Sequence, residues 1–503
     1  MKADTLFLNG NFFISSTFQK PIHWLAVKDG RVAAMGPGKP DRHVLYQRKV
    51  DVNGKHVFPG WIDSHAHLFN LGLRSFELDV SLCRSNSELI QRLRQYAGKQ
   101  SWIEAYGLDI EKWRGPKLTF RELDRVSLTA PIVIRRVDEH AVFINTPLMK
   151  LAGKYQQGDG NHSGGLFQDG ALDGIFRFKP SPPSETIRKA LIRAGQSFVR
   201  YGITSVHDLS MRHAPLAVLM ELMRCKAFPL RVNCALYGED TFENYSRPEM
   251  FLFDYHLSIR AKKIFIDGAL GSRGAWLLAP YADQPEWEGL CLYDAEGLFN
   301  AVRQAIQKRF QLVFHVMGDR ASRWVLETLA SRYYPKDLRH QRVRFEHVEI
   351  LDPNLFSMMK RFGIISSVQP GHVVSDRPWL QRRLGRHRLK YILPLRGLLK
   401  YGIPVCGGSD SPIEHHDPLQ GIYAAVTRER EHRIQIGEAL KIYTEGGAYA
   451  EFAEGIKGNL EIGKLADFCV LSDTVLGGHP GRLLSIKNLM TVVGGRIVYE
   501  GSV

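Results

Sequence analysis

The spacing of apolar positions divides the chain into three patterns. Near the start, TLFLNGNFF and then HWLAVKDGRVAAMG alternate short apolar runs with polar residues, as half-buried strands do. Asn9-Gly10 and Asp29-Gly30 within them are hairpin signals, because both dipeptides tolerate positive φ. Near the end, LADFCVLS (465–472) and MTVVGGRIVYEG (490–501) repeat the strand, turn, strand pattern. Strands left alone at either end would expose unpaired edges, so residues 1–57 and 455–503 are expected to pair into one small β-sandwich.

The middle, residues 58–454, alternates β-branched apolar runs with helical stretches, the mark of βα units and a parallel sheet. Eight strands are predicted: 58–67, 202–208, 230–237, 261–267, 311–316, 342–347, 363–368 and 404–410. Between them lie helical patterns such as EGLFNAVRQAIQKR and RASRWVLETLASRY. Eight such units predict an α/β fold of the TIM (β/α)8 barrel type. The gap between the first two strands is too long for one helix. Residues 85–185 are therefore expected to form an insertion over the barrel mouth. Its Gly-rich part, 159–174, reads as a loop and the whole as a lid over the active site.

Composition changes this picture little. With 44% hydrophobic and 24% charged residues among 503, the chain has the balance of a soluble globular protein. The first residues lack a signal-peptide pattern and no run reaches the ~18 apolar residues of a membrane helix, so a cytoplasmic protein is expected. The six cysteines show no CxxC pairing, which argues against a disulfide framework and a cysteine-built zinc site. The net charge of +15 raises nucleic-acid binding as a class. The basic residues are dispersed, however. Their densest run, RPWLQRRLGRHRLKY (377–391), accompanies no nucleic-acid motif and reads as a basic surface loop or helix.

Candidate chemistry gathers at one pole of the predicted barrel. Active sites of TIM barrels sit at the C-terminal strand ends. There the first strand carries His65 and His67, the fourth Lys263, the fifth His315, the sixth His347 and the eighth Asp410. Residues i and i+2 of a strand face one way, so His65 and His67 point together into the mouth, with Asp63 on the same side. Singly, each has a plain structural explanation: a bonded histidine, a lysine reaching solvent, an N-capping aspartate. Jointly, four imidazoles and a carboxylate are suitable ligands for a metal such as Zn²⁺.

The motif HAH after PGWIDS, together with KIFIDGALGSRGAWL, FHVMGDRAS, RFEHVEIL, GSDSPIEHHDPLQGIYAAVTR and GNLEIGKLADFCVLS, resembles the amidohydrolase superfamily. Within it, the chain is similar to the N-substituted formamide deformylase-like branch of metal-dependent amidohydrolases. The resemblance runs along essentially the whole chain. It implies one or two divalent ions, zinc foremost. His65, His67 and Asp410 would hold the inner ion and His315 and His347 the second. Lys263 matches the lysine that is carbamylated to bridge two metals in binuclear members. The implied activity is hydrolysis of a non-peptide C–N bond by a metal-activated hydroxide, with Asp410 as proton shuttle. His140, in RRVDEHAVFIN, matches a histidine of the family pattern and is the candidate donor to the carbonyl oxygen. Glu139 departs from that pattern, which favours glycine there.

Other polar clusters lie near the same pole. His207 ends the second strand beside Asp208, while Asp267 and Arg273 follow the fourth; all three are candidate substrate contacts. Asp319-Arg320 opens a helix, and His415-His416 follow Asp410 closely. The alternative enzyme class is an aminohydrolase acting on a heterocycle with a mononuclear site, in which a glutamate assists. Glu346 precedes His347 but faces the opposite way by strand parity, and Lys263 favours the amide reading. A scaffold protein of this fold would have lost ligand positions, and all six are occupied here. The expected partner is a small-molecule substrate, with neither nucleic acid nor membrane, and barrels of this kind often pair as homodimers.

Overall fold

A computed structural model describes residues 2–16, 20–98, 100–137, 139–153, 163–168 and 171–501. Its centre is a ring of eight strands: β1 (Trp61–Ala66), β2 (Ile203–Met211), β3 (Arg231–Leu236), β4 (Leu257–Phe265), β5 (Gln311–Val316), β6 (Arg344–His347), β7 (Ile365–Val368) and β8 (Val405–Gly407). Each pairs in parallel with its sequence neighbour. A parallel bridge between Ala66 and Ser411, just past β8, closes the ring. All eight predicted strands are present. They could be read because a sheet covered on both faces needs near-continuous apolar runs, as in β5, where all six residues are buried. Helices such as Ser184–Arg200, Ala295–Gln307 and Asp319–Arg332 wrap the outside and share one apolar core with the strands.

The two chain ends pair as predicted. Strand Phe468–Leu471 joins His56–Pro59 on one side and Asn488–Val493 on the other, and Lys2–Phe12 continues the sheet. Phe7, Phe12, Val57, Phe468 and Val492 form the core of this β-sandwich. Asp29 and Gly30 both adopt positive φ and make the expected two-residue hairpin. Asn9-Gly10 does not turn the chain. Lys2–Phe12 runs through it as one strand, and Asn9, at φ 55°, lies where the pairing register shifts.

The insertion expected between β1 and β2 carries a sheet of its own. A five-stranded sheet runs from Leu166–Gln168 through Ala141–Ile144, Ile132–Arg136 and Ile103–Leu108 to Leu78–Asp79. Helix Asn86–Ala97 packs Leu89 and Leu93 against it, and Leu148 and Phe167 join a second small core. The runs WIEAYGL and PIVIRR supply the buried strands, so this segment holds its own apolar interior. Within 159–174, residues 159–162 and 169–170 lie outside the described residues. The basic run 377–391 fastens this body to the barrel mouth. Arg383 donates to Glu111 of the insertion at 2.6 Å and to Asp283 of the loop after β4 at 2.5 Å. Arg388 donates to the carbonyls of Ala279 and Pro280, both at 2.7 Å. Among the described residues no helix is long and apolar enough to cross a membrane.

Sandwich and barrel meet at a buried ion pair. Arg231, opening β3, donates to both oxygens of Asp467 at 2.6 and 2.9 Å, and Asp467 also accepts Gly494 N at 2.7 Å. Removing one partner strands a charge out of water, which costs about 3–5 kcal/mol. Arg231→Ala is therefore expected to lose stability of that order in denaturant unfolding, and Arg231→Ala/Asp467→Ala to recover part of it. A loss within error of zero for the single variant would show that the junction does not rest on this pair.

Candidate metal centre

His65 ends β1 with no measurable exposure. Its Nδ1 meets Glu346 Oε2 at 2.7 Å, which leaves Nε2 to face the mouth. His67 sits one step further, its Nδ1 on Ser210 Oγ at 2.6 Å. Asp410 faces both: Oδ1 lies 3.2 Å from His65 Nε2 and 3.0 Å from His67 Nε2. His65 Nε2 and Asp410 Oδ1 are buried without a hydrogen-bond partner. A tetrahedral ion with bonds of about 2.0–2.1 Å holds its ligands about 3.3 Å apart. The three atoms thus stand at ligand spacing, and the donor set fits a metal.

His347 joins from β6, its ring 4.6 Å from His65 and 4.5 Å from His315. Its Nδ1 meets Gln369 Oε1 at 2.9 Å, which fixes the tautomer so that Nε2 is free to ligate. Strand parity would turn His347 toward the helices, because Arg344 and Glu346 fill the barrel interior. A φ of 74° at His347, followed by 43° at Val348, swings it over the strand end instead. Asp410 is likewise held at φ 59°, its N–H bonded to His65 O at 2.6 Å. Such strain persists only where surrounding bonds over-determine the backbone. Lys263 points inward from β4, 3% exposed, with Nζ lacking any hydrogen bond and 4.8 Å from the Phe265 ring. Its neighbour Lys262 turns outward to Glu239 at 2.9 Å. An ammonium buried without a partner is costly, and burial lowers the Lys263 amine to about 8.

The other groups carry the imprint of the same dry environment. Burial works to raise Asp410, but His65, His67 and His347 outweigh it and hold the carboxyl well below its usual range. Burial, reinforced by neighbouring cationic groups, holds His315 and His347 well below theirs, so both rings are neutral and ready to ligate. Asp63 accepts from His65 N, Ser409 N and Ser409 Oγ, tying the end of β1 to the chain after β8; burial raises it to about 7.

Below the centre lies a chain of charges that the sequence did not reveal. Glu346 takes Arg344 Nε on its second oxygen at 2.8 Å, and Arg344 reaches His207 Nδ1 at 2.9 Å and Ser64 O at 2.7 Å. His207 Nε2 lies 3.4 Å from Glu451, which pairs with Lys457 at 2.6 Å. Burial would raise Glu346, yet Arg344 and His65 hold it at about 2. Glu346 thus stays ionised and orients His65, as carboxylates behind metal-binding histidines do.

The three candidate substrate contacts have other partners in the structure. His207 is wholly buried inside the barrel between Arg344 and Glu451 rather than lining the mouth. Asp267, also wholly buried, accepts Trp276 N, Met317 N and Gly318 N at 2.8–2.9 Å and organises the loops after β4 and β5. Arg273 is spent on Asp283, at 2.9 and 3.1 Å. His140 does reach the centre, its ring 5.3 Å from His315. His416 instead meets Ser197 Oγ at 2.9 Å, on the helix Ser184–Arg200. His372 was missed. It lies on a short helix after β7, its ring stacked on His347 at 6.1 Å and its Nε2 3.7 Å from Asp410 Oδ2. No HxH spacing marks it, although QPGHVVSD follows a predicted strand end.

Residues 48–499 match the amidohydrolase family. Protein YtcJ of Bacillus subtilis strain 168, named for the amidohydrolases, is 32% identical over 90% of this chain and 91% of its own. The N-substituted formamide deformylase of Arthrobacter pascens is 24% identical over 99% and 98%. Among solved structures, an uncharacterized metal-dependent hydrolase from Pyrococcus horikoshii superposes with TM-score 0.78 at 26% identity, covering 95% of this chain and 99% of that one. The chain belongs to the amidohydrolase family and is a metal-dependent hydrolase.

Glu346→Gln is expected to weaken metal binding by about 10- to 100-fold, since it removes the charge that orients His65. Chelator competition on the folded variant measures this, and native affinity would rule out the orienting role.

Proposed function

We propose that this member of the amidohydrolase family hydrolyses a non-peptide C–N bond, in an amide, formamide or related group of a small molecule. The observation behind this reading is that the unpartnered His65 Nε2 and Asp410 Oδ1 stand with His67 Nε2 at ligand spacing, beside His315, His347 and Lys263. His65, His67 and Asp410 hold the inner ion, and His315 and His347 a second, with zinc favoured by the imidazole-rich donors. Lys263, lowered to about 8, has a neutral fraction near neutral pH. A neutral amine adds CO₂ with loss of a proton, and the resulting carbamate, with one negative charge shared by two oxygens, would suit a place between two ions.

When bound, the metal lowers the pKa of its water to about 7 and polarises the substrate carbonyl. The chain's own residues manage the protons. Asp410 accepts the proton of the attacking water as its oxygen bonds to the carbonyl carbon. It then delivers that proton to the nitrogen as the C–N bond breaks, releasing an amine and a carboxylic acid that ionises in water. His140, beside His315, donates to the carbonyl oxygen as negative charge develops there. The insertion, fastened through Glu111, limits water and substrate size at the mouth. Similarity to N-substituted formamide deformylase supports formyl and short N-acyl substrates. A heterocycle deaminase needs a carboxylate beside its substrate, whereas Glu346 is engaged by Arg344 and His65 beneath the centre.

Metal-loaded protein is expected to turn over at least one compound in a panel of N-formyl, N-acyl, ureido and cyclic amides, and not aminated heterocycles. Turnover confined to the heterocycles would reverse the reading. Asp410→Asn should retain a folded barrel while losing about 10²–10⁴-fold in kcat, and native rates would remove Asp410 from proton transfer. Lys263→Ala should lower the bound-metal count, which elemental analysis reads directly. An unchanged count would end the bridging role.

A further inference from the structure

The two halves of the proposed centre are not built alike. Among the described residues, one ligand-type atom from each of His65, His67 and Asp410 lies within 4.8 Å of the other two. His347 forms such a trio only with Asp410 and His372, and none of them includes His315. The inner set also has charge at its back. Asp410 is itself a carboxylate, and His65 Nδ1 rests on the Glu346 carboxylate at 2.7 Å. Behind His347 stands Gln369, buried just past β7. It offers His347 Nδ1 only an amide oxygen, at 2.9 Å. His315 Nε2 lies 3.8 Å from Asp267 Oδ1, beyond hydrogen-bond reach, and Met317 N already holds that oxygen at 2.9 Å.

A carboxylate behind an imidazole raises the basicity of the ring and admits one tautomer. An amide is neutral, and it carries donors as well as an acceptor. Gln369 Nε2 is buried without a hydrogen-bond partner, so no bond at that end holds the amide against turning. Turned over, it would donate to Nδ1, leave the imidazole proton on Nε2 and remove the ligating lone pair. We propose that Gln369 makes the outer position the weaker of the two, filled after the inner one and only when free metal is plentiful. This deepens the two-ion reading above and rests on it. A carbamate on Lys263, shared by both ions in that reading, does not decide the order. The protein thus passes through a one-ion form whenever metal is scarce, and occupancy of the outer position regulates the centre.

Full-length protein stripped by chelator and titrated with Zn²⁺ against a chromogenic chelator tests this. Co²⁺ absorption follows the coordination of each equivalent in parallel. The native chain is expected to bind two equivalents in two steps, the second weaker by about 10-fold or more. Gln369→Glu should strengthen the second step by about 10-fold and leave the first within about 2-fold. Gln369→Met, which removes the acceptor, should weaken the second step with the first again unchanged. Two native steps of equal affinity would overturn the proposal while leaving two ions in place. A titration that never reaches a second equivalent would overturn the two-ion reading and the proposal with it. A second step unmoved in both variants would overturn the role of Gln369. If Gln369→Glu does not fold, Gln369→Met decides the matter.

Discussion

The ion pair between Arg344 and Glu346 is the constraint on which the rest of the site depends. Both side chains are wholly buried inside the barrel, where an apolar plug would be the cheaper filling. A lone carboxylate there would neutralise, and burial pushes Glu346 that way. Arg344 prevents it with a hydrogen bond from Nε at 2.8 Å, so Glu346 stays anionic and fixes the His65 proton on Nδ1. Only then does His65 Nε2 present a lone pair to the mouth. Arg344 in turn needs acceptors for its remaining donors, and Ser64 O, Ser367 Oγ and His207 provide them. Glu451 and Lys457 complete the charge balance toward the far end of the barrel. The metal cage is thus the exposed end of a polar column that starts where the barrel meets the terminal sheet.

What the sequence made legible follows from the same physics. Eight strands were readable because a two-sided sheet needs runs of apolar residues, and the candidate ligands stood out because their residue types recur at strand ends. Parity served for His65 and His67, and it placed Glu346 away from its neighbour. It gave no hint that Glu346 works from inside the barrel, since the partner it orients lies 281 residues away in the chain. Parity also fails at His347, where a left-handed backbone reverses the side chain. His372 escaped because the loop after β7 has no periodicity to read. The insertion was legible as an insertion, but the strands in WIEAYGL and PIVIRR were not read from it. His207 and Asp267 were placed at the mouth by sequence proximity, whereas unsatisfied backbone and guanidinium donors claimed both.

The basic run 377–391 shows how charge counts mislead. Arg382 and Arg383 both engage Glu111, and Arg383 also meets Asp283, which Arg273 holds as well. These arginines join three loops around the mouth: the insertion, the segment after β4 and the segment after β7. A net excess of cations therefore coexists with a local network in which they are matched. Specificity in this family's fold resides in such loops rather than in the barrel.

Backbone strain is also found at the mouth. Glu139 adopts φ 57°, a conformation that glycine, the residue of the family pattern, takes without steric cost. Here the cost is offset by two cations: Arg74 donates to Glu139 at 3.0 Å, and Arg135 lies 3.4 Å away. The next residue is His140, whose ring then sits against His315. At His347 and Val348 the β5 strand end restrains the turn, since Val348 N bonds Val316 O at 3.1 Å. At Asp410 the β1 strand end does so through His65 O. Glu139, His347 and Asp410 each face the centre or directly precede a residue that does, and each is restrained by an element other than its own. The cage geometry is therefore a property of the closed barrel with its insertion in place. A barrel opened between β1 and β8 would release Asp410 and its two imidazoles together.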